Sequence, residues 1–191
     1  MSHYEERLER DLSQIKQQVA LLAGLVEKAL DDAVHALLAD DDKLAYATVL
    51  ADNRINAVSN ELDRMRMAFI GVHLPTGSHL RLMAAVVHTN VALERIGDYA
   101  VTICREAVQI ALPQGILERE IELMASESRQ MLKQAVDAFL EGNADKAKAT
   151  MVIADQVERT FDMAFDDLVG EGDRLSVKDL FAYLTVFNSL E

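Results

Sequence analysis

Tryptophan is absent from this sequence, cysteine occurs once and proline twice in 191 residues. A lone cysteine, Cys104, excludes an intramolecular disulfide and fits a reducing compartment. With 2 Pro, 8 Gly and 5% aromatic residues, the chain lacks the turn and strand material of a β-sandwich or barrel. Positive charge is also scarce: 19 Lys and Arg face 32 Asp and Glu, a net charge of −13. A phosphate backbone needs a basic face, so nucleic-acid binding is excluded, and the acidity reads first as a device for solubility. No apolar run approaches the ~20 residues of a membrane-spanning helix. The opening MSHYEERLERDLSQ has no apolar stretch of the kind a signal peptide requires. These absences point to a soluble, cytoplasmic protein without direct membrane insertion.

What remains is Ala, Leu, Val, Ile and Met, the side chains of helix interfaces, within a chain that is half hydrophobic. Leu8, Leu12, Ile15, Val19, Leu22, Val26, Ala29 and Ala33 fall alternately four and three apart, a heptad seam over about residues 4–38. Asp40-Asp41-Asp42 breaks the pattern and supplies a cap for a second helix reaching about His73. The run His73-Leu74-Pro75-Thr76-Gly77-Ser78 predicts a loop, with Ser78 capping a third helix from about His79 to Ala111, ended by Pro113 and Gly115. A fourth helix covers about 116–140, a fifth ends near Val169, and Ser176 with Asp179 forms a capping box for a sixth.

The pattern repeats. Shifted by 102 residues, Ala33, Val34, Ala36 and Leu38 match Ala135, Val136, Ala138 and Leu140, and Ala45, Ala47 and Thr48 match Ala147, Ala149 and Thr150. After a shorter loop the offset becomes 97, pairing Ala85, Leu93 and Glu94 with Ala182, Leu190 and Glu191. A constant offset through two helices and a turn indicates duplication. The expected fold is therefore all-α: two tandem three-helix bundles, residues 1–112 and 113–191, the second incomplete in its last helix. The third helix continues well beyond Glu94 while its counterpart stops at Glu191, so a chain shortened relative to a longer parent is expected.

On the third helix, a stripe of Met83, Val87, Val91, Glu94, Asp98 and Val101 sets two carboxylates one turn apart in an apolar row. Like charges at i and i+4 repel, so a compensating charge is expected: an ion pair to Arg95 or Arg105, or a hard cation held by carboxylate oxygens. Gly97, between the two acids, costs about 0.5–1 kcal/mol against Ala and suits close approach by a helix or ligand. Asp32-x-x-His35 has no equivalent in the second half, and no Glu-x-x-His occurs, which disfavours a ferritin-like di-iron oxidase. His73, His79 and His88 read as caps or exposed polar residues, and Cys104 as a small core residue. No glycine-rich phosphate loop and no nucleophile–base pair is recognisable, so no catalytic constellation is present and the protein is not expected to be an enzyme.

Leu93-Glu94-Arg95-Ile96-Gly97-Asp98-Tyr99-Ala100, on the last helix of a three-helix unit, resembles the signature segment of the PhoU family; Leu80-Arg81-Leu82-Met83-Ala84-Ala85 and the two-unit layout fit as well. The resemblance spans essentially the whole chain. It implies two acidic motifs of the form Glu/Asp-x-x-x-Asp that bind metal ions. The first maps onto Glu94 and Asp98; the second begins at Glu191 and is not completed. The metal implied is iron, zinc, magnesium or manganese. The function implied is negative regulation of the phosphate-starvation response and of phosphate uptake. The protein would act as an adaptor between the ATPase subunit of a phosphate ABC transporter and a sensor histidine kinase. A homodimer is compatible with long helices bearing spare apolar faces. The alternatives from other classes are a metal-storage bundle and the regulatory domain of a phosphate cotransporter.

Overall fold

A computed structural model describes residues 3–191 as six α-helices: α1 (His3–Ala39), α2 (Asp42–His73), α3 (Gly77–Ala107), α4 (Ile116–Glu141), α5 (Ala144–Gly170) and α6 (Val177–Leu190). No strand occurs among the described residues, and no helix there is long and apolar enough to cross a membrane.

Helices α1, α2 and α3 pack mutually, as do α4, α5 and α6, while α1 against α4 and α3 against α6 join the two bundles. The α1 seam explains this centrality. Leu12, Ile15, Val19, Leu22, Val26, Ala29 and Ala33 are all buried, and Ala23, Leu30, Val34 and Leu37 bury a second face. A helix apolar over most of its circumference must be covered from several sides. Across the seam Lys16 donates to the Leu140 carbonyl at 3.3 Å and Arg129 pairs with Asp31 at 2.7 Å, so α1 and α4 run antiparallel.

The breaks follow the turn chemistry. Asp41 accepts from the Leu44 amide, Asn143 from Lys146 and Ser176 from Asp179, each satisfying an otherwise unpaired helix N-terminal donor. At the end of α4, Gly142 takes φ +65° and closes the helix on the Ala138 and Phe139 carbonyls, a left-handed conformation that side chains oppose. Two expected boundaries shift. Helix α3 starts from extended backbone at Thr76 rather than from a Ser78 cap, and it ends at Ala107 rather than Ala111. The early end has a cause. Tyr183 donates to the Ala111 carbonyl at 2.9 Å and Lys178 to the Gln109 carbonyl at 3.1 Å, so α6 captures carbonyls that a longer helix would turn inward.

Tyr183 is itself a probe of this junction. Burial, aided by the charge of Asp179, pushes its phenol up to about 12. An unfolded tyrosine loses its proton near pH 10, so between about pH 10 and 12 the folded chain holds the extra proton and stability falls as pH rises. Below that window the contribution is fully present. Urea midpoints measured near pH 9 and near pH 11 should therefore diverge more for the parent protein than for Tyr183→Phe; equal divergence would show that the phenol does not carry the effect.

Candidate functional site

The acidic pair lies where α2 and α3 pack. Gly97 is buried, and a Cβ there would stand 3.2 Å from Ile55 Cγ2 and 3.6 Å from Asp52 Oδ1. The glycine thus serves the approach of α2. This closeness sets Thr48, Asp52, Ile55 and Ser59 of α2 opposite Asn90, Glu94, Gly97 and Cys104 of α3. Glu94 Oε2 accepts from Ser59 Oγ at 3.3 Å, and Asn90 Nδ2 donates to the Ser59 carbonyl at 3.1 Å. Asp52 Oδ2 accepts from Asn56 Nδ2 at 2.7 Å, while its Oδ1 is buried without a hydrogen-bond partner. Cys104 is buried beside Thr48; burial pushes its thiol up to about 11, the contact with Thr48 pulling the other way. The thiol is a core group, as its sequence position implied.

Glu94 and Asp98 are exposed, at the edge of the interface. Their mutual repulsion is then screened and worth only a few tenths of a kcal/mol. The expected pairing with Arg95 or Arg105 does not form among the described residues: Glu94 turns to Ser59, and Asp98 has no side-chain partner there. Glu191 stands apart, at the rim of a groove of about 430 Å³ between the bundles and of a recess holding Asp155 and Glu158. Asp52, Glu94 and Asp98 thus lie along the α2–α3 contact, and Glu191 follows the end of α6.

Carboxylates at this spacing offer hard oxygen donors, and Asp52 on the facing helix adds a buried, orphaned oxygen. Even so, no group of three or more His, Cys, Asp or Glu side chains stands close enough for a metal among the described residues. A cation held here would draw on Glu94, Asp98 and Asp52, with side chains turned toward it from their present positions. The other histidine and acid candidates separate. Asp32 pairs with Lys28 at 2.6 Å and His35 is exposed. His73, expected as a cap or surface residue, instead has a fully buried ring with Nε2 2.9 Å from Asp11 Oδ2, because α1 lies across the end of α2.

Sequence reasoning missed Asp52, Ser59 and Asn90. The available signal was the inward stripe of α2, where Thr48, Asp52 and Ser59 interrupt apolar positions at helical spacing.

The PhoU domain profile matches residues 19–107 and 121–191. The phosphate-specific transport system accessory protein PhoU homolog of Pseudomonas putida is 29% identical over 195 residues, covering 99% of this chain and 75% of that protein. Its counterpart in Pseudomonas aeruginosa is 30% identical, covering 87% of this chain and 70% of that protein. The crystal structure of PhoU from Pseudomonas aeruginosa superimposes with a TM-score of 0.87 at 28% identity, covering 95% of this chain and 89% of that one.

Proposed function

This chain belongs to the PhoU family, and on that premise we propose that it is an accessory protein of a phosphate transport system that holds the phosphate-starvation response and phosphate uptake low when phosphate is abundant. The observation that carries this reading is the match of both three-helix units to the PhoU domain, residues 19–107 and 121–191. The architecture agrees with a protein that works by contact. Helices of 37, 32 and 31 residues present long lateral surfaces. Its partners on this reading are the transporter's ATPase subunit and a sensor histidine kinase, met in the cytoplasm by a non-catalytic adaptor.

The test is a phosphate-starvation reporter in a host deleted for this gene and grown in abundant phosphate. A reporter switched on by the deletion, and silenced when the gene is restored, is expected. A reporter that stays off removes negative regulation.

A second reading is favoured by the orphaned, buried Asp52 oxygen, which faces Gly97 on the turn between Glu94 and Asp98: the α2–α3 edge holds a divalent or ferric cation. Glu191 would serve a corresponding site in the second unit. Iron, zinc, magnesium and manganese all accept such oxygen donors. The paired change Glu94→Gln with Asp98→Asn should release metal that elemental analysis finds in the purified protein; unchanged metal content sinks the site.

A further inference from the structure

A stripe on α3 leads from the α2–α3 turn to the carboxylates. Leu80, Ala84, Val87, Val91, Glu94 and Asp98 fall alternately four and three apart, so they share one face of the helix. Leu80 and Val91 are 50% and 52% exposed, Ala84 is exposed and Val87 is half-buried. Helix α2 runs antiparallel to α3, with Ser59 opposite Asn90 and Glu94. That register brings Met67, 56% exposed and on the side of α2 that carries Asp52 and Asn56, level with Ala84. One exposed apolar side chain is ordinary, but a row of them at seam spacing marks a face left for a partner. The repeat carries the row twice. Val169 corresponds to Met67, while Val177, Phe181 and Leu184 correspond to Leu80, Ala84 and Val87. Val169, Val177 and Phe181 are again more than half exposed. Two diverged units that keep apolar groups in water at equivalent positions point to use rather than drift.

From Leu80 to Asp98 the α3 stripe runs ~27 Å at 1.5 Å per residue, apolar over its first three turns and acidic over its last. That order decides what fits. A second copy laid antiparallel on the same stripe would set Asp98 and Glu94 against Leu80 and Ala84, taking carboxylates out of water with no partner. Laid parallel, it would set the carboxylates against their own copies, in a chain whose net charge is −13. A helix that is apolar over three turns and basic over the next satisfies both halves. It covers Leu80, Ala84, Val87, Val91 and Met67, and it brings cations to Glu94 and Asp98, neither of which pairs with a basic side chain among the described residues.

We propose that the outer seam between α2 and α3 docks a helix of another polypeptide, with apolar side chains at four successive seam positions and Lys or Arg at the next two. The apolar anchors lie on Leu80–Val91 and Met67, and the basic pair meets Glu94 and Asp98, a helix-in-groove mode with charge fixing its direction. This inference holds whether or not the chain regulates phosphate uptake, and its test reads neither a reporter nor metal content.

The probe is a labelled synthetic helix of about 21 residues, ~32 Å long, with leucine at four successive seam positions, lysine at the next two, and alanine and glutamine elsewhere. It and its reversed sequence are titrated into the whole protein carrying Phe181→Gln, which blunts the corresponding row on α6, and followed by fluorescence anisotropy. Saturable binding of one of the two is expected. It should weaken roughly tenfold or more with Leu80→Gln and Val91→Gln together, and stay unchanged with Tyr46→Gln and Leu50→Gln, exposed apolar residues of α2 outside the seam. The same peptide with glutamine in place of its two lysines should bind several-fold more weakly at low salt. Because Leu80 and Val91 are half exposed, their double variant is expected to melt with the parent protein, which is checked first; if it melts early, Val91→Gln alone takes its place. Absent saturation, equal affinity for the seam variant and its parent, or equal affinity of the lysine and glutamine peptides overturns the proposal. A dimer in sedimentation that the seam variant dissociates also overturns it, assigning the face to a second copy.

Discussion

Replacing Phe187 with alanine should cost about 3–5 kcal/mol of unfolding free energy, with a fall in Tm on the order of 10 °C. Phe187 is fully buried, and α6, only 14 residues long, has little stability of its own. Its hold on the rest of the molecule comes from Tyr183, Val186, Phe187 and Leu190, the last of which also offers its carbonyl to Ser128. Removing the largest apolar group of that set leaves a cavity and loosens the helix that joins α3 to the second bundle. Phe181, on the same helix, is 67% exposed, so Phe181→Ala should change stability by no more than about 0.5 kcal/mol. Urea denaturation of the two variants side by side decides the matter. A cost below about 1.5 kcal/mol for Phe187→Ala, or similar costs for both, would mean that α6 is not anchored as described.

The parts of this molecule readable in sequence are those where a local pattern and its consequence coincide. The α1 heptad positions from Leu12 to Ala33 are all buried, because a regular seam leaves one face for partners to cover. Ser176 caps α6 and Gly142 ends α4, because each satisfies backbone groups within a few residues of itself. What escaped was set by contacts distant in sequence. His73 is buried because Asp11, 62 positions earlier, lies beside it; Glu94 turns from its neighbouring arginines to Ser59, 35 positions away. The end of α3 is fixed by Tyr183, 72 residues on. Asp52, Ser59 and Asn90 were hidden for a related reason. A polar residue on a buried stripe weakens the periodic signal, and only the opposing helix reveals that it has a partner. The acids Glu94 and Asp98 were visible as a pair, but a helical wheel alone does not place them at the edge of the α2 contact rather than within it.

Gly97 ties that contact to the site, and lengthening its side chain should be the second most damaging single change. A leucine there cannot occupy space in which even a Cβ stands 3.2 Å from Ile55 Cγ2 and 3.4 Å from Cδ1. The helices must separate or Ile55, itself buried, must leave its position; overpacking of this kind costs about 3 kcal/mol, the upper part of its usual range. Alanine is different. It gains about 0.5–1 kcal/mol of helix propensity and asks Ile55 to yield a few tenths of an ångström, so Gly97→Ala should fall within about 1 kcal/mol of the parent. The double change Gly97→Leu with Ile55→Ala tests the cause. If Ile55 is the obstacle, the pair should recover at least about 1 kcal/mol relative to the sum of the single costs. Strict additivity would place the strain elsewhere on α2. The same series separates packing from chemistry: Gly97→Leu drives apart Asp52 and the α3 carboxylates, whereas Glu94→Gln with Asp98→Asn removes charge from exposed positions and should leave stability nearly unchanged. Loss of a bound cation in both, with loss of stability in the first alone, is the pattern expected of a site assembled by close helix approach.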